Sequence, residues 1–129
     1  MAHSLVFSLC WFVSLFSQLT GRLPNFANLP SLQTFQADSN SFSGLPVPFP
    51  FLPMLQVLTL SNNQLAGTLD TALWTKLPSV GTVDLSSNSL TGVIPSPSQM
   101  VTMDLFSLSN NQLNSPMVMS VIATVLDLR

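Results

Sequence analysis

The side chains most often recruited as nucleophile, base or metal ligand are scarce in this 129-residue chain: one histidine, one cysteine, five aspartates and no glutamate. His3 and Cys10 both fall in the hydrophobic N-terminal segment, so no nucleophile–base pair is available. Asp38, Asp84 and Asp104 can be grouped as a carboxylate cluster, but solvated polar positions account for them better. No phosphate loop, metal-ligand spacing or haem motif is present. The chain is therefore expected to be non-enzymatic, with no cofactor and no metal. The chemistry that does recur is that of the carboxamide. Asn40, Asn63, Asn88 and Asn111 follow one another at intervals of 23, 25 and 23 residues. An amide both donates and accepts, so it can satisfy backbone groups that would otherwise be buried without partners. These four are expected to form an internal structural ladder.

Each asparagine is framed by the same apolar spacing. Leu77, Val80, Val83 and Leu85 precede Asn88, with Leu90, Gly92 and Ile94 after it. Leu52, Leu55, Leu58 and Leu60 precede Asn63, and Leu65, Gly67 and Leu69 follow. Leu29, Leu32, Phe35 and Ala37 stand before Asn40; Met100, Met103, Phe106 and Leu108 stand before Asn111. Neither a helical nor a strand period produces that set. It fits a coil whose apolar residues all point into a shared interior, and a fixed repeat of this length marks a solenoid.

On these residues the chain resembles leucine-rich repeat proteins. "LTLSNNQLAGTL" (58–69) and "VDLSSNSLTGVIP" (83–95) follow the pattern LxxLxxLxLxxNxLxGxIP of the plant-type extracellular subclass. Similar repeats occur in surface antigens and proteophosphoglycans of parasitic protists. The resemblance covers roughly residues 19 to 128. It implies an α/β solenoid with a parallel β-sheet on the concave face and extended, 3-10 or short helical segments on the convex face. In that pattern Phe35/Ala37, Leu58/Leu60, Val83/Leu85 and Phe106/Leu108 point inward from short strands stacked ~4.8 Å apart. Gly21, Gly44, Gly67 and Gly92 are expected to allow a tight bend after the second leucine.

The outward residues of those strands are the ones free to carry function. On the family register they are Thr34, Gln36, Asp38 and Ser39; Val57, Thr59, Ser61 and Asn62; Thr82, Asp84, Ser86 and Ser87; Leu105, Ser107, Ser109 and Asn110. A protein partner would contact Gln36, Val57, Thr59, Ser61, Thr82, Asp84, Ser86, Leu105, Ser107 and Ser109. The face is small and polar, with Val57 and Leu105 its apolar exceptions, and it lacks the Trp, Tyr and Arg that usually anchor a partner. A merely solvated sheet face fits the same residues. Asp38 and Asp84 lie two repeats apart, ~10 Å, while Asp104 belongs to the approach to its strand.

Composition narrows the partners. A formal net charge of -2 from three cationic and five acidic residues leaves no basic patch for nucleic acid or an anionic membrane. The 47% hydrophobic content suits a packed interior rather than a disordered tail. No small-molecule substrate is implied. A single cysteine forbids an intramolecular disulfide. No asparagine is followed two residues on by Ser or Thr, so no N-glycosylation acceptor exists.

Two segments are expected. Residues 1–17, apolar from Leu5 to Phe16, read as a secretory signal or anchor, or alternatively as a hydrophobic cap on the open end of the stack. The apolar run is shorter than the ~20 residues that span a bilayer. Residues 18–129 form the repeat domain, about four full repeats with partial ends. Its returns differ: four prolines in 45–53 and two in 95–98 imply extended chain, whereas 69–76, free of Pro and Gly, implies a helical turn capped by Asp70 or Thr71. Residues 117–129 begin as a possible helix and end in Leu126-Asp127-Leu128, a copy of Val83-Asp84-Leu85. The expected role is a protein-interaction module, secreted or at the cell surface, or cytoplasmic if the first segment is only a cap. Membrane contact would come only through that segment. The alternatives are a truncated, structural or non-functional fragment of a longer repeat protein, and the ectodomain piece of a receptor kinase.

Overall fold

The computed structural model describes residues 11–13, 18–23, 26, 29–44, 50–69, 73–93, 104–113 and 126–127. Strands β1 (Trp11–Val13), β3 (Thr34–Gln36), β5 (Val57–Thr59), β7 (Thr82–Asp84), β9 (Leu105–Ser107) and β11 (Leu126–Asp127) pair in that order into one six-stranded parallel sheet. The register is in step across the repeats: Phe35 lies beside Leu58, Leu58 beside Val83, and Val83 beside Phe106.

Each of the middle turns enters this sheet through the same device. Leu29-Pro30-Ser31-Leu32, Leu52-Pro53-Met54-Leu55 and Leu77-Pro78-Ser79-Val80 are tight turns, each closed by a backbone bond from the fourth residue to the carbonyl of the first. Proline fits the second position because its fixed φ suits the turn and its missing N–H is not needed there. The residue after the turn then offers its carbonyl to two N–H groups of the next repeat. Gln33 O accepts from Gln56 and Val57, Gln56 O from Gly81 and Thr82, and Gly81 O from Asp104 and Leu105.

The inward positions close the core as the apolar spacing predicts. Leu32, Phe35, Ala37, Leu55, Leu58, Leu60, Val83, Leu85, Leu90, Phe106 and Leu108 are all buried. Phe26 meets Phe35 edge to face, with ring centroids 4.8 Å apart. Helix α1 (Leu73–Lys76) is the helical turn expected within 69–76. Leu73 is buried under it, and Lys76 O accepts the Leu52 N–H of the preceding return. Its expected caps Asp70 and Thr71 lie outside the described residues, as do most of the proline-rich returns and the expected helix beginning at Met117.

The segments after the four asparagines, with one more ahead of the first of them, also pair, as β2 (Thr20–Arg22), β4 (Ser41–Gly44), β6 (Ala66–Thr68), β8 (Ser89–Gly92) and β10 (Gln112–Leu113), into a second, five-stranded parallel sheet. These strands are two to four residues long and four of the five contain glycine, so neither β-propensity nor alternation marks them. They pair because the solenoid brings the same segment of every turn to the same height. Gly21, Gly67 and Gly92 occupy the left-handed region, as their position in the bend requires, but Gly44 does not. At Gly92 a Cβ would also stand 2.8 Å from Thr68 Cγ2.

Candidate interaction face

The six-stranded sheet is held at its downstream edge by the asparagine ladder. Asn88 Nδ2 donates to Leu85 O and Ser86 O in its own turn and to Leu60 O in the preceding one, and its Oδ1 accepts the Leu65 N–H. Asn63 repeats this with Leu60 O, Ser61 O, Ala37 O and Phe42 N–H. Asn111 does so with Leu108 O, Ser109 O, Leu85 O and Leu90 N–H. Asn40 donates to Ala37 O and Asp38 O and accepts from Leu19 N–H. Each side chain therefore both closes its own turn and bolts it to the one before.

A second set of residues makes the ladder possible. Ser39, Asn62, Ser87 and Asn110, one position before each asparagine, all have φ between 56° and 61°. That left-handed step turns the chain so that the next side chain points inside. Among non-glycine residues asparagine tolerates it best. The N–H groups of Ser39, Asn62 and Ser87 still bond across to Ser61 O, Ser86 O and Ser109 O, extending the sheet past its short strands. These four positions, read from sequence as part of the outward rows, are thus committed to the backbone turn. A polar Ser or Asn before every ladder residue was the available signal.

Of the residues expected to contact a partner, Gln36, Val57, Thr59, Ser61, Thr82, Asp84, Ser86 and Leu105 lie half-buried on one face. Ser107 and Ser109 do not belong with them. They are only 6% and 8% exposed, and their hydroxyls lie 3.4 Å apart. Both hydroxyls are withdrawn from solvent, unlike Thr59 and Asp84 at the matching places of the preceding turns.

The face is also more ordered than a solvated row. Asp38 accepts Thr59 Oγ1 at 2.7 Å on one carboxylate oxygen, and Ser61 N–H and Oγ at 2.7 and 2.8 Å on the other. Asp84 Oδ1 accepts the N–H and hydroxyl of Ser86. Asp38 therefore ties its turn to the next through Thr59 and Ser61, while Asp84 bonds within its own turn to Ser86. No group of three or more metal-ligating side chains occurs among the described residues.

At the upstream edge the sheet opens into a groove of about 410 Å³, lined by Gln56, Val57, Pro78, Ser79, Val80, Gly81, Thr82 and Asp104. Gln56, Gly81 and Asp104 stand at the same place in successive turns, each just ahead of its strand. Gly81, having no side chain, leaves the gap. One wall is fixed by Ser79, whose hydroxyl donates to Pro53 O at 2.7 Å.

Residues 54–75 and 79–99 match the Leucine Rich Repeat family model. The ectodomain fold of plant receptors is closely similar. A pollen receptor kinase 3 structure superposes with a TM-score of 0.72 at 31% identity, covering 80% of this chain and 51% of the other. The BIR3–SERK2 complex from Arabidopsis thaliana gives 0.70 at 31% identity, covering 81% and 57%. A plant ice-binding protein gives 0.68 at 26% identity, covering 86% and 37%. The chain thus spans about half the length of the receptor structures it resembles. No curated protein sequence matches it significantly.

Proposed function

We propose, from the premise that this chain is a leucine-rich repeat solenoid, that it is a non-enzymatic binding module whose six-stranded sheet receives an extended protein segment. The observation that carries this reading is the hydrogen-bonded outer surface of that sheet: half-buried, small-side-chain and continuous over successive repeats, with Val57 and Leu105 as apolar contacts either side of Thr82. The similarity to receptor ectodomains, one of them in a complex with a second protein, supports a protein partner.

The test is substitution at the centre of the face. Thr82 is half-buried there and its hydroxyl is not committed to a hydrogen bond among the described residues. Thr82→Trp is expected to weaken binding of a peptide selected from a random display library by about tenfold, 1.4 kcal/mol, and to leave the thermal midpoint in place. Equal affinity for both proteins would remove the sheet from the binding surface.

The exposed small side chains of the five-stranded sheet favour a second reading, in which that sheet is the working face. Thr20, Ser43, Ala66, Thr68 and Ser89 are exposed there in parallel array. An activity that Thr82→Trp leaves intact and Thr68→Trp abolishes would belong to that sheet. Fold alone does not choose between the two.

The location proposed is secreted or at the cell surface, supported by the receptor likeness and the apolar run from Leu5 to Phe16. Among the described residues no helix is long and apolar enough to cross a membrane. Capping and cleavage compete at this end, because β1 pairs Trp11–Val13 with Thr34–Gln36 and a cut near residue 17 would remove that strand. A reporter fused after Arg129 is expected to enter the secretory pathway. If it stays in the cytosol, residues 1–17 serve the stack instead.

A further inference from the structure

We infer that the protein segment received by this face is basic, and that a lysine or arginine of it lodges in the groove beside Asp104. The inference rests on the six-stranded sheet being the binding surface and adds the partner's chemistry. Two features carry it, charge and shape. Asp38, Asp84 and Asp104 lie on the face or its upstream rim, and no Lys or Arg does among the described residues. Arg22 belongs to the second sheet and Lys76 to helix α1, and neither lines the groove.

The carboxylates differ in what they have left to offer. Asp38 is engaged on both oxygens by Thr59 and Ser61. Asp84 spends Oδ1 on Ser86, while its Oδ2 accepts nothing among the described residues. Asp104 is exposed, and its carboxylate accepts no hydrogen bond among the described residues. It overhangs the gap at Gly81: a Cβ built there would be 3.4 Å from Asp104 Oδ2. Gln56 and Ser79 complete polar walls, while Val57 and Thr82 form the floor that leads onto the strands. The groove admits one long side chain, apolar along its stem and cationic at its tip, while the backbone that carries it continues across the strands. Lysine and arginine have that form. An acidic segment would meet Asp104 and Asp84 with like charge, which is costly, and a neutral one would gain nothing from them.

Gly81 gives the test its sharpest variant. Its φ is not in the left-handed region, and an added Cβ meets nothing closer than ordinary van der Waals contact. Gly81→Lys therefore puts an ammonium where the partner's cation would sit without disturbing the fold, whereas Gly81→Ser adds bulk of similar onset without charge. Peptides selected from a random display library against the intact chain are expected to be enriched in Lys and Arg. The strongest of them should lose affinity about two- to fivefold on Asp104→Asn, as an exposed ion pair would, and about tenfold on Gly81→Lys. Gly81→Ser should lose less, and the difference should shrink as salt is raised. Melting curves identify any variant that has unfolded, and Asp104→Asn then decides alone. Selected peptides without basic enrichment, or a basic peptide indifferent to both Asp104→Asn and Gly81→Lys, would overturn this inference. If that peptide still responds to Thr82→Trp, the sheet remains the binding face and only the charge assignment falls. If it responds to none of the three, or if no peptide is selected, both fall together.

Discussion

Asn88→Ala is expected to destabilise the protein by about 3 kcal/mol in a urea melt, at the upper end of what an unsatisfied buried polar group costs. The size follows from the number of partners lost at once. Leu60 O, Leu85 O and Ser86 O lose a donor, and the buried Leu65 N–H loses its acceptor. Water cannot easily replace them, since Asn88 itself is only 9% exposed and is surrounded by Leu65, Leu85 and Leu90 at 1% or less. Asn88→Asp discriminates further. A carboxylate still accepts from Leu65 but turns lone pairs toward three carbonyls, so it is expected to be no better than alanine. Asn63→Ala should fall close behind, because it makes the corresponding bonds one turn earlier. A melt unchanged at both sites would mean these amides face solvent.

Leu58→Ala is expected to cost about 3–4 kcal/mol, the range for a leucine whose cavity cannot collapse. Leu58 is 1% exposed in the middle of the stacked row, with Phe35 and Val83 beside it on the neighbouring strands. Those neighbours are fixed by sheet register and cannot slide in to fill the space. Thr59→Ala, one residue on and on the opposite face, should cost about 0.5–1 kcal/mol, the value of its hydrogen bond to Asp38. The ratio between adjacent residues is the readout, measured as the shift in urea midpoint at unchanged slope. Similar losses at 58 and 59 would place both on one side of the sheet and break the register.

The inward row and the ladder were legible because both depend on side-chain type at fixed spacing. Phe35, Leu58, Val83 and Phe106 are apolar because they are buried, and Asn40, Asn63, Asn88 and Asn111 recur because few side chains donate and accept in so small a volume. The second sheet was not legible. Its strands are held by backbone bonds that any residue makes, and Ala66-Gly67-Thr68 reads as a bend whether or not a neighbour pairs with it. The left-handed residues before each asparagine are visible as Ser or Asn, but sequence register says which side a residue faces and not which φ it adopts. The burial of Ser107 and Ser109 is equally invisible in sequence, because their local pattern matches that of Thr59 and Ser61, which stay half-buried. The groove depends on an absence, the missing side chain at Gly81 between Gln56 and Asp104, and becomes meaningful only once those three are stacked.

Hydroxyl-radical footprinting of the intact chain with and without a selected peptide tests the binding face most directly, because the apolar reporters are already distributed over different surfaces. Val57 and Leu105 lie on the outer side of the six-stranded sheet, while Phe51, Met54 and Val93, exposed by 59%, 47% and 55%, lie away from its strands. Peptide binding is expected to protect Val57 and Leu105 and to leave Phe51, Met54 and Val93 as reactive as before. Protection of Phe51, Met54 or Val93 with Val57 and Leu105 unchanged would contradict the assignment of function to this sheet.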